Sequence, residues 1–286
     1  MYNKNLVWII AAIAATGGLL FGFDTGVISG AIPFLRNDFQ LTDSQIENIT
    51  AFGLIGAVIG ALVCGRLTDI LGRRRVILGS AFVFVTGALW RGIAPNVTQL
   101  LISRLYLGLA IGVSSFATPL YIAEISPTKI RGTLVSMFQL LITVGILAAY
   151  ISDSLLADNS NPESWRPMFY VGVIPAIILY IGMYFLPETP RWLMSKGREA
   201  EALKVLRMTE DPKLVEKSID NMRKEIQQDK SQMPWTEIFK PWMRNALIIA
   251  VGIMFFQQFV GINTVIYYSP DIFLRAGFNG NQAAIW

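Results

Sequence analysis

An aspartate, Asp24, lies in the middle of a long apolar run that reads GGLLFGFDTGVISG from Gly17 to Gly30. A charge within a segment long enough to cross a membrane is costly unless another group faces it, so by default it marks a pathway or a proton relay. A second apolar run carries a cation, Arg104. At a rise of ~1.5 Å per residue, the two residues lie about 16 Å and 9 Å below the same membrane surface. An arginine side chain can close that gap.

Two interpretations of this pair remain open. In the first, Asp24 is a proton acceptor that Arg104 holds ionised in one state, and protonation releases the arginine in another. In the second, the two residues form a permanent structural ion pair, since structural networks also bury charges. We favour the first interpretation.

Glycines at every fourth position of the first apolar run indicate how Asp24 is presented. Gly18, Gly22, Gly26 and Gly30 form a stripe of small residues along which another helix can approach closely. Asp24 lies about 200° around the helix from this stripe, at roughly 100° per residue. It therefore points away from that contact, toward a cavity or a different helix.

The composition is that of an integral membrane protein made of helices. Hydrophobic residues make up 53% of the 286 residues and charged residues 15%, and several apolar runs approach the roughly 20 residues that span a membrane. The chain has no histidine and one cysteine, which excludes histidine-based catalysis and the usual zinc sites. We expect no enzymatic activity, no metal, no cofactor and no nucleic-acid partner.

Apolar runs predict seven membrane spans. They cover residues 7–35, 48–68, 76–94, 98–123, 132–156, 167–186 and 245–268. Most of the 24 lysines and arginines fall on one side of the predicted spans. Because cytoplasmic segments accumulate these residues, we expect a multi-pass protein of the inner (plasma) membrane with its N-terminus in the cytoplasm.

The segment between the sixth and seventh spans has a different character. Residues 197–230 are charged and favour helix, with apolar residues at mostly helical spacing. We expect two or three short helices on the cytoplasmic face. They either tether two membrane bundles or take part in gating.

Four motifs, in order along the chain, resemble those of one transporter family. They are GRLTDILGRR at 65–74, PLYIAE at 119–124 followed by KIRG at 129–132, PETPRWL at 187–193, and QQFVGIN at 257–263. Together they resemble the sugar porter family of the major facilitator superfamily, and within it the bacterial proton-coupled sugar symporters. The resemblance implies proton symport of a monosaccharide by alternating access.

The resemblance also implies a network of charges at the cytoplasmic helix ends, which closes the transporter on the inside. Its members here would be Arg66, Asp69, Arg73, Arg74, Glu124, Arg131, Glu188 and Arg191. Basic residues in these loops also follow from topology alone. Topology does not require Glu124 and Glu188, so for those two we favour the network.

The substrate ligands implied by the resemblance are mostly amides. Amide groups both donate to and accept from sugar hydroxyls, and aromatic rings cover the apolar faces of a sugar. By helical angle, Gln257, Asn263, Thr264 and Tyr267 lie within about 120° of one another on one polar face, with Gln258 roughly 100° further round. By similarity to the family, the sugar ligands would be Gln139, Gln257, Gln258, Asn263 and Tyr267. Buried amides can also join membrane helices to each other.

Two residues depart from the family pattern. Phe138, next to Gln139, stands where related symporters often have a polar residue. Arg91 stands near the outer end of the third span, where a small or neutral residue is usual. The simplest expectation for Arg91 is that its side chain extends to the outer membrane surface.

Length is the largest departure from the family. A complete member has two bundles of six spans with the substrate held between them. We expect a six-span bundle (1–186), a cytoplasmic helical linker (187–243) and the start of a second bundle (244–286) in an all-α membrane protein. Transport would require the missing C-terminal bundle. The alternatives are a sugar facilitator without proton coupling, or a truncated remnant or sugar sensor that does not transport.

Overall fold

In the computed structural model, the described residues are 4–158, 160–229 and 240–277, and these residues form helices and no strands. Residues 230–239 of the predicted linker and residues 278–286 of the predicted third segment therefore lie outside the described residues. The helices, in chain order, are α1 (Lys4–Phe39), α2 (Asp43–Leu71), α3 (Arg73–Gly92), α4 (Val97–Ile125), α5 (Arg131–Leu156), a 3-10 turn (Pro162–Ser164), α6 (Trp165–Val171), α7 (Val173–Phe185), α8 (Pro190–Ser195), α9 (Glu199–Thr209), α10 (Val215–Asp229), α11 (Pro241–Phe259) and α12 (Ile262–Arg275).

Glycines bring α1 close to α5. A side chain at Gly22 would collide with the backbone carbonyl of Ile142, and one at Gly26 would collide with Ala149. The stripe of small residues is therefore a helix contact, as the sequence predicts, and the partner is the fifth span. Asp24 lies on another face of α1.

Small residues also bring α2 and α4 together. Gly56 of α2 lies against Gly108 of α4, and Gly60 lies against the carbonyl of Leu109. α3 packs on the other side of α4 and against α7. Close backbone contact thus joins α1 to α5 and α2 to α4, which helps to fix the positions of the charged side chains on these helices.

Within the described residues, six helical segments are long and apolar enough to cross a membrane. They are Asn5–Phe39, Asp43–Leu71, Val97–Ile125, Arg131–Leu156, Pro162–Phe185 and Met243–Ser269. The third predicted span, 76–94, forms α3, which is helical over 20 residues but carries arginines at both ends. Its charged ends, Arg73–Arg75 and Arg91, lower its mean hydropathy and so set it apart from the other six segments.

The seventh predicted span, 245–268, is two helices rather than one. α11 ends at Phe259 and α12 begins at Ile262, with Gly261 between them at φ +73°. That left-handed backbone conformation favours glycine. The sixth span is interrupted in a milder way between α6 and α7, at Gly172.

Three short helices, α8, α9 and α10, lie in the predicted linker. Their apolar faces are buried, including Leu193, Val205, Leu206 and Ile219, and they join the same hydrophobic core as the membrane bundle. The amphipathic spacing therefore serves packing against the bundle. It does not form a separate core.

Candidate functional site

Asp24 contacts two arginines from two other helices. Its Oδ2 accepts a hydrogen bond from Arg104 Nη1 on α4 at 2.8 Å, and its Oδ1 accepts one from Arg91 Nη1 on α3 at 2.5 Å. Asp24 is 5% exposed, and each arginine is 2% exposed. The structure thus brings together the predicted pair and adds a third residue that sequence reasoning placed elsewhere.

The glycines of α2 provide the room for Arg104. Arg104 Nε donates to the backbone carbonyl of Ile49 at 3.3 Å, and its Nη2 lies where a side chain at Gly53 would begin. The guanidinium is therefore fixed by α2 on one side and by Asp24 on the other.

The expectation for Arg91 was wrong, because its side chain turns inward. It stacks on the ring of Phe169 from α6, with the guanidinium carbon 4.0 Å from the ring centre. The charge of Asp24 and the ring face of Phe169 together replace the water that this cation would otherwise seek. The sequence feature that could have predicted this contact is Asp24 itself, because its carboxylate can pair with Arg91 as well as with Arg104.

The arrangement links the charge of Asp24 to the relative position of three helices. Both carboxylate oxygens are engaged in charge-assisted hydrogen bonds, which stabilise the ionised form. A proton on either oxygen would replace one of these bonds. A protonated Asp24 would therefore give up a hydrogen bond from Arg91 on α3 or from Arg104 on α4.

Tyr267 lies beside this cluster, on α12. It is 8% exposed, and its hydroxyl is in hydrogen-bonding contact with the side chain of Thr25, the neighbour of Asp24. Two further contacts join α12 to the bundle. Tyr150 donates to the carbonyl of Ile266 at 3.0 Å, and the hydroxyls of Ser29 and Ser269 are 3.4 Å apart.

The predicted amide ligands lie elsewhere on the same span. Gln257, Gln258 and Asn263 are exposed, and Asn263 Nδ2 donates to Gln258 Oε1 at 3.0 Å. The prediction that Gln257, Asn263, Thr264 and Tyr267 share the face of one helix was wrong in one respect: Gly261 interrupts the helix, so Gln257 lies on α11 and the other three residues lie on α12.

Gln139, the predicted ligand on the fifth span, is also exposed. Its neighbour Phe138 is buried, 7% exposed, and packs in the core. The departure from the family pattern at Phe138 therefore affects helix packing in this bundle, while Gln139 keeps its side chain outside the core.

A second charged cluster lies at the other end of the bundle, around Glu188. Its carboxylate accepts hydrogen bonds from the backbone N–H groups of Arg73 and Arg74, each at 3.1 Å, and of Thr189 at 2.9 Å. Glu188 therefore caps the N-terminus of α3 from a distant part of the chain, where the helix dipole favours a negative charge. Gly72 makes this possible, since its φ is +94° and a side chain there would collide with the carboxylate.

Glu124 joins this cluster from the end of α4. It pairs with Arg73 at 3.1 Å and accepts a hydrogen bond from the Thr189 hydroxyl at 2.6 Å. Arg73 also pairs with the exposed Asp69 at 3.4 Å. Arg74 points toward α7 and donates to the carbonyl of Met183 at 3.1 Å. These contacts join the ends of α2, α3, α4 and α7 with the start of α8.

The remaining predicted members lie outside the cluster. Arg66 is exposed, Arg131 donates to the carbonyl of Ser126 at 3.4 Å, and Arg191 pairs with Glu225 of α10 at 3.7 Å.

Three uncharged residues contribute where sequence reasoning considered only charges. They are Thr189, whose hydroxyl contacts Glu124, Tyr121, which donates to the carbonyl of Pro187 at 2.8 Å, and Trp192, which donates to the carbonyl of Asp69 at 3.0 Å.

Burial raises the pKa of Glu188 above its ordinary value of 4.5. The hydrogen bonds from the three backbone N–H groups and the charge of Arg73 act in the opposite direction, but desolvation has the larger effect. Glu188 thus titrates closer to neutral pH than an exposed glutamate does.

Comparison with known proteins identifies relatives for nearly the whole chain. A family model described as "Sugar (and other) transporter" matches residues 10–286. The galactose-proton symporter of Escherichia coli (strain K12) is 42% identical over 99% of this chain and 61% of that protein. The glucose transporter GlcP of Staphylococcus epidermidis is 44% identical over 99% of this chain and 61% of that protein. The chain thus spans about three fifths of the length of these curated relatives.

Among solved structures, the proton:xylose symporter XylE bound to 6-bromo-6-deoxy-D-glucose has a TM-score of 0.87 and 31% identity, covering 99% of this chain and 65% of that chain. The inward-open conformation of XylE from E. coli has a TM-score of 0.76 and 31% identity, covering 93% of this chain and 64% of that chain. The fold is therefore that of the corresponding part of a major facilitator transporter.

Proposed function

The chain belongs to the family of sugar (and other) transporters, and from this membership we propose that it carries the proton-coupling part of a monosaccharide symporter. The observation that carries the proposal is the ion cluster in which Asp24 binds Arg104 and Arg91. Within the spans, charges of this kind are expensive and mark ion pathways. Protonation of Asp24 would release an arginine and so alter how α3 and α4 pack against α1.

The proposed substrate is a neutral monosaccharide. Support comes from the exposed amides Gln257, Gln258 and Asn263 on the seventh span and Gln139 on the fifth, whose groups suit sugar hydroxyls. The curated relatives are described as a galactose-proton symporter and a glucose transporter. Tyr267 would act from the other side of the span, since it contacts Thr25 beside the coupling aspartate.

The cluster around Glu188 is proposed to hold the cytoplasmic ends of the bundle together during the part of the cycle in which the inside is closed. It joins α3, α4 and the PETPRWL segment through Glu124, Arg73 and Thr189.

Transport is proposed to require a second bundle, packed against residues 244–286. Support comes from α11, on which large apolar residues such as Ile248, Phe256 and Val260 are exposed, and from the relatives' greater length. We further propose the inner (plasma) membrane as the location, with the N-terminus, the cluster around Glu188 and the linker 187–243 in the cytoplasm.

The test is sugar-induced pH change in de-energised cells that produce a completed transporter, meaning this chain extended by the further spans that complete a second six-helix bundle. Addition of the transported sugar should make the weakly buffered medium more alkaline, because each sugar would enter with a proton. Uptake without alkalinisation would indicate a facilitator. Sugar binding without exchange across the membrane would indicate a sensor or an inactive remnant, and either result would contradict proton symport.

A further inference from the structure

A second carboxyl group, that of Asp153, lies buried near the cluster around Asp24. Asp153 is on α5 and is 1% exposed. Within the described part of the chain, neither of its carboxyl oxygens has a hydrogen-bond partner. Its Oδ2 lies against the α-carbon of Gly30 on α1, where any side chain would collide with it. The mechanism described above gives Asp153 no role.

Arg91 is the cation that acts on Asp153. The two side chains are close enough to interact electrostatically, although the hydrogen bond of Arg91 goes to Asp24. The Nε of Arg91 is also buried without a hydrogen-bond partner among the described residues. An unsatisfied donor on α3 and an unsatisfied carboxyl group on α5 thus belong to two residues that lie within range of electrostatic interaction.

The other titratable groups around Asp153 have partners of their own. From α1, Asp24 binds the two arginines, and from α4, Arg104 binds Asp24. On the other packed segment, Arg166 donates to the backbone carbonyls of Gly92 and Ala94 and pairs with Glu163. On α5 itself and on α12, the hydroxyls of Tyr150 and Tyr267 are occupied by Ile266 and Thr25. Among the described cations around Asp153, Arg91 is the one whose Nε–H group has no hydrogen-bond partner.

The contact between Arg91 and Phe169 allows this exchange. The ring attracts the guanidinium through its face, and this attraction does not depend on which N–H group points to which carboxylate. Arg91 can therefore remain over Phe169, at 4.0 Å from the ring centre, while its hydrogen bonds pass from one aspartate to the other.

We propose that Asp153 is a second proton-binding site of the transporter and that Asp24 and Asp153 compete for Arg91. The proposal rests on the proposed function and adds to it, because symport requires one proton site and the chain would have two that alternate. In the arrangement seen here, Asp153 carries the proton, since an ionised carboxylate buried without a hydrogen-bond donor is strongly disfavoured.

The proposed exchange of Arg91 between the two aspartates involves two proton transfers, one from Asp153 to water and one from water to Asp24. Asp153 releases its proton to water, and the resulting carboxylate attracts Arg91. Asp24 then retains Arg104 alone and accepts a proton from water more readily. Tyr150, one helical turn before Asp153, bonds to the carbonyl of Ile266 on α12 at 3.0 Å, so the second site lies next to the contact with the seventh span.

The experiment is an infrared pH titration of the purified chain in lipid nanodiscs, which detects the carbonyl band of a protonated, buried carboxyl group. We expect such a band in the unmodified chain and its loss in Asp153→Asn. Asp158→Asn, which alters an exposed aspartate just beyond the same helix, is the matched control and should retain the band. A band that persists unchanged in Asp153→Asn would overturn the proposal.

Competition for Arg91 has a separate signature in two variants that keep Asp153. Arg91→Gln removes the nearby cation, so the band should persist to a pH about 1 to 3 units higher. Asp24→Asn releases Arg91 toward Asp153, so the band should disappear at a lower pH than in the unmodified chain. A midpoint that moves in neither variant would contradict the competition, even if Asp153→Asn failed to fold.

The titration is independent of the proposed function, because it needs neither sugar nor transport. Suppose that the band and the opposite shifts of its midpoint are observed, but the completed transporter fails to alkalinise the medium. The second proton site would then stand, and proton symport would be contradicted. Alkalinisation without the band would retain symport and remove Asp153 from it.

Discussion

The two charged clusters of this chain satisfy their carboxylates in different ways. Around Glu188 the donors are mostly backbone N–H groups at the start of α3, whose positions are fixed by the helix. Around Asp24 they are the ends of two long side chains from two other helices. The first arrangement changes only if a helix end moves away as a whole, whereas the second can change by rotation of side chains.

The clusters also differ in what they leave unsatisfied. In the described structure each cluster has an arginine whose Nε is buried without a partner, Arg91 beside Asp24 and Arg73 beside Glu188, whereas the unpartnered buried carboxyl oxygens both belong to Asp153 on α5. Glu188 is half-buried and accepts several hydrogen bonds. A buried group without a partner favours any change that provides one. The comparison teaches that the cluster around Asp24 is suited to switching, and the cluster around Glu188 to holding helices in place.

The largest effect should follow removal of the shared anion. Asp24→Ala removes the carboxylate that two guanidiniums share, each 2% exposed, and leaves Arg104 without its counter-charge. Breaking a buried pair in this way costs about 3–5 kcal/mol. Thermal unfolding of the purified chain in detergent should show a large loss of stability, and Asp158→Ala, at an exposed aspartate, should leave stability unchanged. An unaltered unfolding temperature in Asp24→Ala would mean that the ion cluster does not stabilise the fold.

A smaller effect, dependent on pH, should follow Glu188→Gln. Because the folded chain holds the pKa of Glu188 above its ordinary 4.5, the folded state binds the proton more tightly than the unfolded state does. The stability from this group is present below the ordinary value and is lost as the pH rises through the raised value. The unfolding temperature of the unmodified chain, relative to that of Glu188→Gln, should therefore fall as the pH rises above the ordinary value of 4.5.

The measurement for Glu188 is the difference in unfolding temperature between the two proteins at a series of pH values. Asp69→Asn, at the exposed partner of Arg73, serves as a control that should show no such slope. A difference that rises with pH would mean that the N–H groups at the start of α3 outweigh burial at Glu188.

The smallest effect should follow Arg191→Ala. Its partner Glu225 is 3.7 Å away, and both side chains are more than half exposed, so water replaces the lost contact. Exposed ion pairs contribute less than about 1 kcal/mol. Unfolding of the variant should match that of the unmodified chain. A loss comparable to that of Asp24→Ala would place Arg191 in the cytoplasmic cluster and weaken the distinction drawn here.

The sequence predicted the features that depend on spacing and composition. The glycine repeat correctly indicated close helix packing, because helical periodicity converts a four-residue spacing into one face. The motifs led to the family, and the depth estimate led to contact between Asp24 and Arg104. The short helices of the linker also follow from their amphipathic pattern.

The errors arose where side-chain direction or a local backbone change decided the outcome. Arg91 was placed by its position near a span end, but the ring of Phe169 and the charge of Asp24 determine where it points. Gln257 was placed on one face with Tyr267 by helical angle, and one glycine at positive φ breaks the helix between them. The cytoplasmic cluster was sought among charges alone, so Thr189 and the backbone of α3 were missed.

The central claim is that ionisation of Asp24 couples proton entry to sugar movement, and Asp24→Asn in a completed transporter tests it most directly. Asparagine keeps the size of the side chain and one acceptor oxygen for an arginine, but it cannot be ionised. The account predicts that proton-driven accumulation of sugar against its gradient is abolished, while exchange of labelled for unlabelled sugar continues. Accumulation at the level of the unmodified protein would contradict it.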